Sequence, residues 1–249
     1  MRRIRIIMSR DYHELRHTAA HRIMLIITGG ITLAAAVGIS IALHLQSWLG
    51  EPGTRPLLEL FIGLVLYFLP LGILLAFIWT FATLPVTREK VNGNIESLMA
   101  TPLTPLDLWL GKSIAIFLPA YIISIVTSVI VMLVINLSTI LPETGKFVLP
   151  LPTLVLGFVV NPLLFLGLLL SMILLSLTNN PDIAPAPSFI LGFGLMMGIP
   201  VGLGLGMFDI SSWSFTLWYL AGTVVFMVAV LSFTRVLTRQ NIVLSSKGS

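Results

Sequence analysis

The sequence predicts an all-α membrane protein: six transmembrane helices, an N-terminal amphipathic interfacial helix, and a short cytoplasmic helix between spans two and three. Three observations lead there. Of the 249 residues, 57% are hydrophobic and 10% charged, with a mean hydropathy of +1.03. With 14 Lys and Arg and 10 Asp and Glu, a soluble chain of this length cannot cover its surface with charge. Apolar runs long enough to cross a hydrocarbon core, about 20 residues as helix, fall at 23–43, 57–84, 108–137, 153–178, 189–208 and 215–234. Most of the charges cluster between these runs.

The same composition narrows the function classes. With no cysteine there is no disulfide framework, thiol nucleophile or cysteine-based metal site. The net charge of +4 is explained by topology and contact with anionic lipid, and no basic groove with interleaved aromatics points to nucleic acid.

Residues 1–22 form the lead-in. Ile4, Ile7 and Met8 share one side of a helix and arginines and histidines occupy the rest, as in a helix lying in the membrane interface. The first apolar run has no small-residue cleavage site and reads as an anchor. The fifth run contains Pro200 and six glycines, and reads either as a crossing helix or as a broken, re-entrant element. Residues 23–234 make one membrane domain without internal repeats, and 235–249 a cytoplasmic tail ending in small polar residues.

Orientation follows from the basic residues, which resist translocation. Arg2, Arg3, Arg5, Arg10, Arg16 and Arg22 precede span one, Arg88, Lys90 and Lys112 lie between spans two and three, and Arg235, Arg239 and Lys247 follow span six. Only Arg55 and Lys146 fall on the other side. Both termini are therefore expected in the cytoplasm, in a multi-pass protein of the plasma membrane.

The lead-in also contains His13-Glu14-Leu15-Arg16-His17, the HExxH pattern in which two histidines share a zinc ion and the glutamate activates water. A catalytic zinc needs a third protein ligand. The metzincin positions for the glycine and third histidine hold Ala20 and Ile23, and the other histidines are His21 and His44. His13, His17 and His21 read first as a polar stripe facing water or headgroups. A weak metal site and a membrane zinc protease are the alternatives, and no metal is assigned.

The stretch between spans two and three, residues 85–112, is the most informative. Asn94 is placed to cap a short helix with Ile95, Leu98 and Met99 on its apolar face, and Pro102 to stop it. Thr104-Pro105-Leu106-Asp107 supplies an N-cap, a proline at the first helical position and an acid at the third, which starts the next helix. A short amphipathic helix is thus presented to a cytoplasmic partner.

Arg88, Glu89, Lys90, Gly93, Glu96, Leu98, Thr101, Pro102, Pro105, Gly111 and Lys112 follow one another without a gap in the pattern REKxxGTxExLLxTPxxPxxxxxGK. In this the loop resembles the ABC-type-2 transporter permease family. Asn94 stands where threonine is usual and Met99 where leucine is. The resemblance implies a permease subunit of an ABC exporter, paired with a second permease subunit, identical or paralogous, on two copies of an ATP-binding subunit. It further implies that Arg88, Glu89, Lys90, Gly93, Asn94, Glu96, Leu98, Met99, Thr101 and Pro102 couple the permease to the ATPase. No GxxxxGK[ST] sequence occurs, so ATP and Mg²⁺ belong to the partner and the chain is not itself an enzyme. An ATPase-driven mechanical or assembly subunit that transports nothing is a further alternative.

Within the spans, Glu59 is the one acid, near the outer end of span two, where it is either a gate or substrate contact or an interfacial side chain. Asn161-Pro162 predicts a bend in span four and makes Asn161 a second candidate for the pathway. Gly194, Gly198, Gly202 and Gly206 strip one face of span five for close helix packing, within the subunit or between subunits. The turn around Asn179-Asn180-Pro181-Asp182 is a second candidate contact with the ATPase, and Trp48, Trp213 and Trp218 read as interfacial anchors.

Overall fold

The computed structural model describes residues 2–46, 53–82, 98, 100–178 and 184–242, which contain helices and no strand. α1 (Arg2–His17) leads directly into α2 (Ala19–His44). α3 (Arg55–Phe81), α4 (Pro105–Thr144), α5 (Leu151–Thr178), α6 (Ala186–Gly204) and α7 (Trp213–Val236) follow. α2 to α7 are six helices long and apolar enough to cross a membrane. They fall where the six apolar runs predict them, and the chain is a multi-pass, all-α membrane protein.

Caps and prolines set the helix ends. The Thr18 backbone is extended, and its hydroxyl accepts from the His21 N–H at 3.2 Å while donating to the Leu15 carbonyl at 2.7 Å. This N-cap divides at Thr18 the lead-in that the sequence suggests as one helix through residue 22. The start signal at Thr104 is realised as a capping box: the Asp107 N–H donates to Thr104 Oγ1 and the Thr104 N–H to Asp107 Oδ2, each at 3.1 Å. Ser212 starts α7 by accepting from the Phe215 N–H at 3.2 Å. Pro200 lies inside an unbroken α6, so of the two readings of the fifth run the crossing helix is the one adopted. Beyond it Gly206 takes a φ of +67°, a left-handed conformation that favours glycine.

α3 and α5 form the centre of the bundle. Of their membrane stretches 61% and 67% is buried, against 17% for α2, 22% for α6 and 17% for α7, which leaves these three helices with wide apolar faces for lipid or another subunit. The α3–α5 crossing is made largely from backbone. Pro70 has no N–H, so the Leu66 carbonyl one turn earlier loses its helical donor. Gly157 sits directly against that carbonyl, where any Cβ would collide. Asn161 Nδ2 donates to the neighbouring Tyr67 carbonyl at 3.1 Å.

The predicted bend at Asn161-Pro162 takes the form of a π turn over Leu156–Val160, with the Asn161 N–H reaching back to the Leu156 carbonyl. Pro162 frees the Phe158 carbonyl in its turn, and Tyr121 of α4 donates to it at 3.2 Å. Here a side chain from a neighbouring helix satisfies a group that proline has stranded, as a membrane interior without water demands. A second π turn, Asn136–Ile140, lies just before Pro142. There Asn136 Nδ2 donates to the Met132 carbonyl at 3.0 Å and its Oδ1 accepts from the Val148 N–H at 2.9 Å.

Candidate functional site

The start of α4, where residues 85–112 rejoin the bundle, gathers contacts from both ends of the chain. Arg88, Glu89, Lys90, Gly93, Asn94, Glu96 and Met99 lie outside the described residues. Leu98, Thr101 and Pro102 are described, and they show the end of the expected short helix. Leu98 and Ala100 are helical, Thr101 and Pro102 form a turn, and the Thr101 hydroxyl donates to the Leu98 carbonyl at 2.5 Å. Leu98 is half-buried and packs against the main core, while Thr101 and Pro102 are exposed.

α1 packs on the first turns of α4. Its inward face carries Ile4, Ile7, Met8, Asp11 and Leu15, a helical spacing, with Ile7 and Leu15 buried. The apolar stripe expected at a lipid interface is thus spent on protein, because α4 offers a matching hollow. At Gly111 a Cβ would lie 2.8 Å from Ile7 Cβ and Cγ2 and 3.4 Å from the Ile4 carbonyl. Only the absence of a side chain lets α1 lie so close.

One residue further, Lys112 Nζ donates to Asp11 Oδ2 at 3.2 Å, and Asp11 Oδ1 also takes Arg10 at 2.7 Å. The Lys112 side chain is 4% exposed and that of Asp11 15%, so this ion pair is held largely out of water. Losing a hydrogen bond to a charged group of this kind costs about 1.5–3 kcal/mol, whereas a well-packed apolar replacement of both partners is often neutral. The pair is therefore best understood as fixing the register of α1 on α4. Trp109, fully buried, locks the same turn of α4 to α5 by donating from Nε1 to the Leu170 carbonyl at 2.8 Å.

The contacts of this joint were legible in the sequence only in part. Gly111 and Lys112 stand in the loop pattern, but their partners do not. Asp11 had a signal of its own, as the single charged residue on the face shared by Ile4, Ile7 and Leu15. Arg239, beyond the last span, also meets the loop exit, and that contact carries no signature in sequence.

The other candidates are placed as follows. His13 and His17 are exposed on α1 with ring centroids 4.6 Å apart. His21 belongs to the next helix and is buried beside Phe77 and Phe81, because the Thr18 cap breaks the four-residue repeat of the stripe. Among the described residues no three His, Asp or Glu side chains gather in a metal-binding group. Glu59 is held by Arg55, one turn earlier, at 2.8 Å, and both are solvent-accessible at the end of α3 opposite the termini. Asn161 is fully buried at the α3–α5 crossing, and its Oδ1 has no hydrogen-bond donor among the described residues.

The glycine stripe of α6 divides. Gly194 and Gly198 have nothing within 4 Å of where a Cβ would stand. Gly202 is packed closely by the Phe208 ring, and Gly206 is the left-handed residue after the helix. Trp213 and Trp218 are exposed near the start of α7, and Trp48 lies outside the described residues, as do Asn179-Asn180-Pro181-Asp182. Two open apolar grooves of about 500 and 470 Å³ flank α2, one against α3 and the other against α4.

No family model, no curated protein and no solved structure matches the chain.

Proposed function

We propose that the chain is the permease subunit of an ABC exporter, driven by a separate ATP-binding subunit through residues 85–112. The observation that carries this is the eleven-position match from Arg88 to Lys112. The build of the joint supports it. A loop that transmits force needs a stiff exit, and this one leaves through a capping box into a helix clamped by Trp109, Gly111 and Lys112. Movement of the loop then displaces α4, and α1 with it. Because Thr18 alone separates α1 from α2, the first span follows. ATP and Mg²⁺ sit on the partner, and both termini and the loop face the cytoplasm.

In this scheme two permease subunits share the membrane, and the exposed part of α6 is the natural seam. Gly194 and Gly198 present a surface free of side chains that another helix can approach closely, which is how helices associate where lipid removes the hydrophobic drive. Leucine at both positions is expected to leave the subunit folded and to shift its mass in nanodiscs from two copies to one, as read by mass photometry. Two copies retained in the double variant would move the seam elsewhere. The apolar grooves beside α2 favour an amphipathic cargo.

The test is co-purification of the tagged protein from its native membranes in mild detergent. A P-loop ATPase retained at about one copy per permease supports the proposal. If no ATPase is retained and zinc that depends on His13 and His17 is found instead, the protease alternative takes its place.

A further inference from the structure

We propose that the segment after the last span, residues 237–242, is a clasp on the coupling loop, with Arg239 as its positioning residue. Through it, movement of the loop reaches the sixth span as well as the third. The inference rests on the loop's role as the coupling element and goes beyond it in naming a second output.

α7 ends in a tight 3-10 turn, Phe233–Val236, and the chain then folds back under the bundle instead of running away from it. Leu237 and Ile242 are both buried in the same core as Leu98 and Leu103 at the loop exit. The return is fixed locally: Asn241 Nδ2 donates to the Val236 carbonyl at 2.9 Å and the Asn241 N–H to Thr238 Oγ1 at 3.2 Å. Between the two buried anchors, Arg239 Nη2 donates to the Leu103 carbonyl at 2.8 Å and to the Thr101 carbonyl at 3.4 Å.

These two carbonyls lie where the loop cannot serve itself. Position 105, four residues beyond Thr101, is proline and has no N–H to return. Leu103 precedes the N-cap of α4, outside the helical ladder. A guanidinium is suited to this task, since it is always charged and presents several donors in one plane, and hydrogen bonds from a charged donor are roughly twice as strong as neutral ones. The clasp therefore ties α7 to the loop at Thr101–Leu103, while the capping box ties α4 to it at Thr104.

The test is hydrogen–deuterium exchange on the nanodisc-reconstituted protein with its retained ATPase, comparing wild type, Arg239→Ala and Arg239→Lys. Arg239→Ala is expected to speed exchange of peptides covering 98–104 about tenfold and to abolish the ATP-dependent change in exchange at the end of α7. The change in α4 should persist. Arg239→Lys, which keeps one charged donor, should recover part of both effects, which a mere loss of packing would not show. Exchange at 98–104 identical in wild type and Arg239→Ala overturns the clasp while leaving the transporter reading intact. A wild-type protein that retains no ATPase overturns both.

Discussion

Replacing Gly157 by valine is expected to destabilise the protein by roughly 3 kcal/mol or more, the upper end of what overpacking a close-packed interior costs. The added Cβ meets the Leu66 carbonyl, which is backbone and cannot rotate away. That carbonyl has already lost its helical donor to Pro70, and the residues around it are fully buried. Relief requires α3 and α5 to separate, which also pulls Asn161 from the Tyr67 carbonyl. Monodisperse yield and thermal unfolding in detergent check this. Gly29→Ala, where nothing lies within 4 Å, serves as the control and should unfold like wild type. A stable, monodisperse Gly157→Val protein would mean that the two central helices do not cross there.

The second large effect is expected at the α1–α4 joint. Asp11→Ala removes the carboxylate that accepts from Lys112, whose side chain is 4% exposed, and should cost about 2 kcal/mol, within the range for a lost hydrogen bond between charged groups. Gly111→Val acts on the same joint by sterics, driving its side chain into Ile7. Both should release α1 from the bundle, seen as faster proteolysis within residues 2–17 with the six spans still folded. The charge swap Asp11→Lys with Lys112→Asp should restore part of the loss, since it preserves the pairing. If Asp11→Ala leaves α1 as protected as in wild type, the ion pair does not set its register.

Much of this architecture could be read from the chain because each feature depends on neighbours in sequence. The spans follow from continuous apolar runs, and the start of α4 from Thr104, Pro105 and Asp107 within four positions. What escaped reading depends on residues far apart. The amphipathic stripe of α1 is as compatible with lipid as with protein, and only the hollow at Gly111 decides between them. The histidine stripe keeps its four-residue spacing in sequence, but the cap at Thr18 turns His21 away from His13 and His17. Asn161-Pro162 announces a bend without saying that it becomes a π turn, or that Tyr121 supplies the missing donor. The glycines of α6 look alike in sequence, yet Gly202 is filled by Phe208 from the segment beyond the helix and Gly194 is not.

The central claim is that residues 85–112 couple this chain to an ATPase, and Glu96 is the residue on which to test it. It is the acid of the loop pattern that falls within the expected short helix, beside the apolar face of Ile95, Leu98 and Met99. ATP hydrolysis should be measured on the purified wild-type complex and on a Glu96→Arg variant, reconstituted side by side in nanodiscs. We predict that the wild type retains a P-loop ATPase and hydrolyses ATP, and that the charge reversal loses the ATPase or lowers hydrolysis at least tenfold, equivalent to about 1.4 kcal/mol or more, with the permease still folded. Equal retention and equal hydrolysis in the two proteins would contradict it.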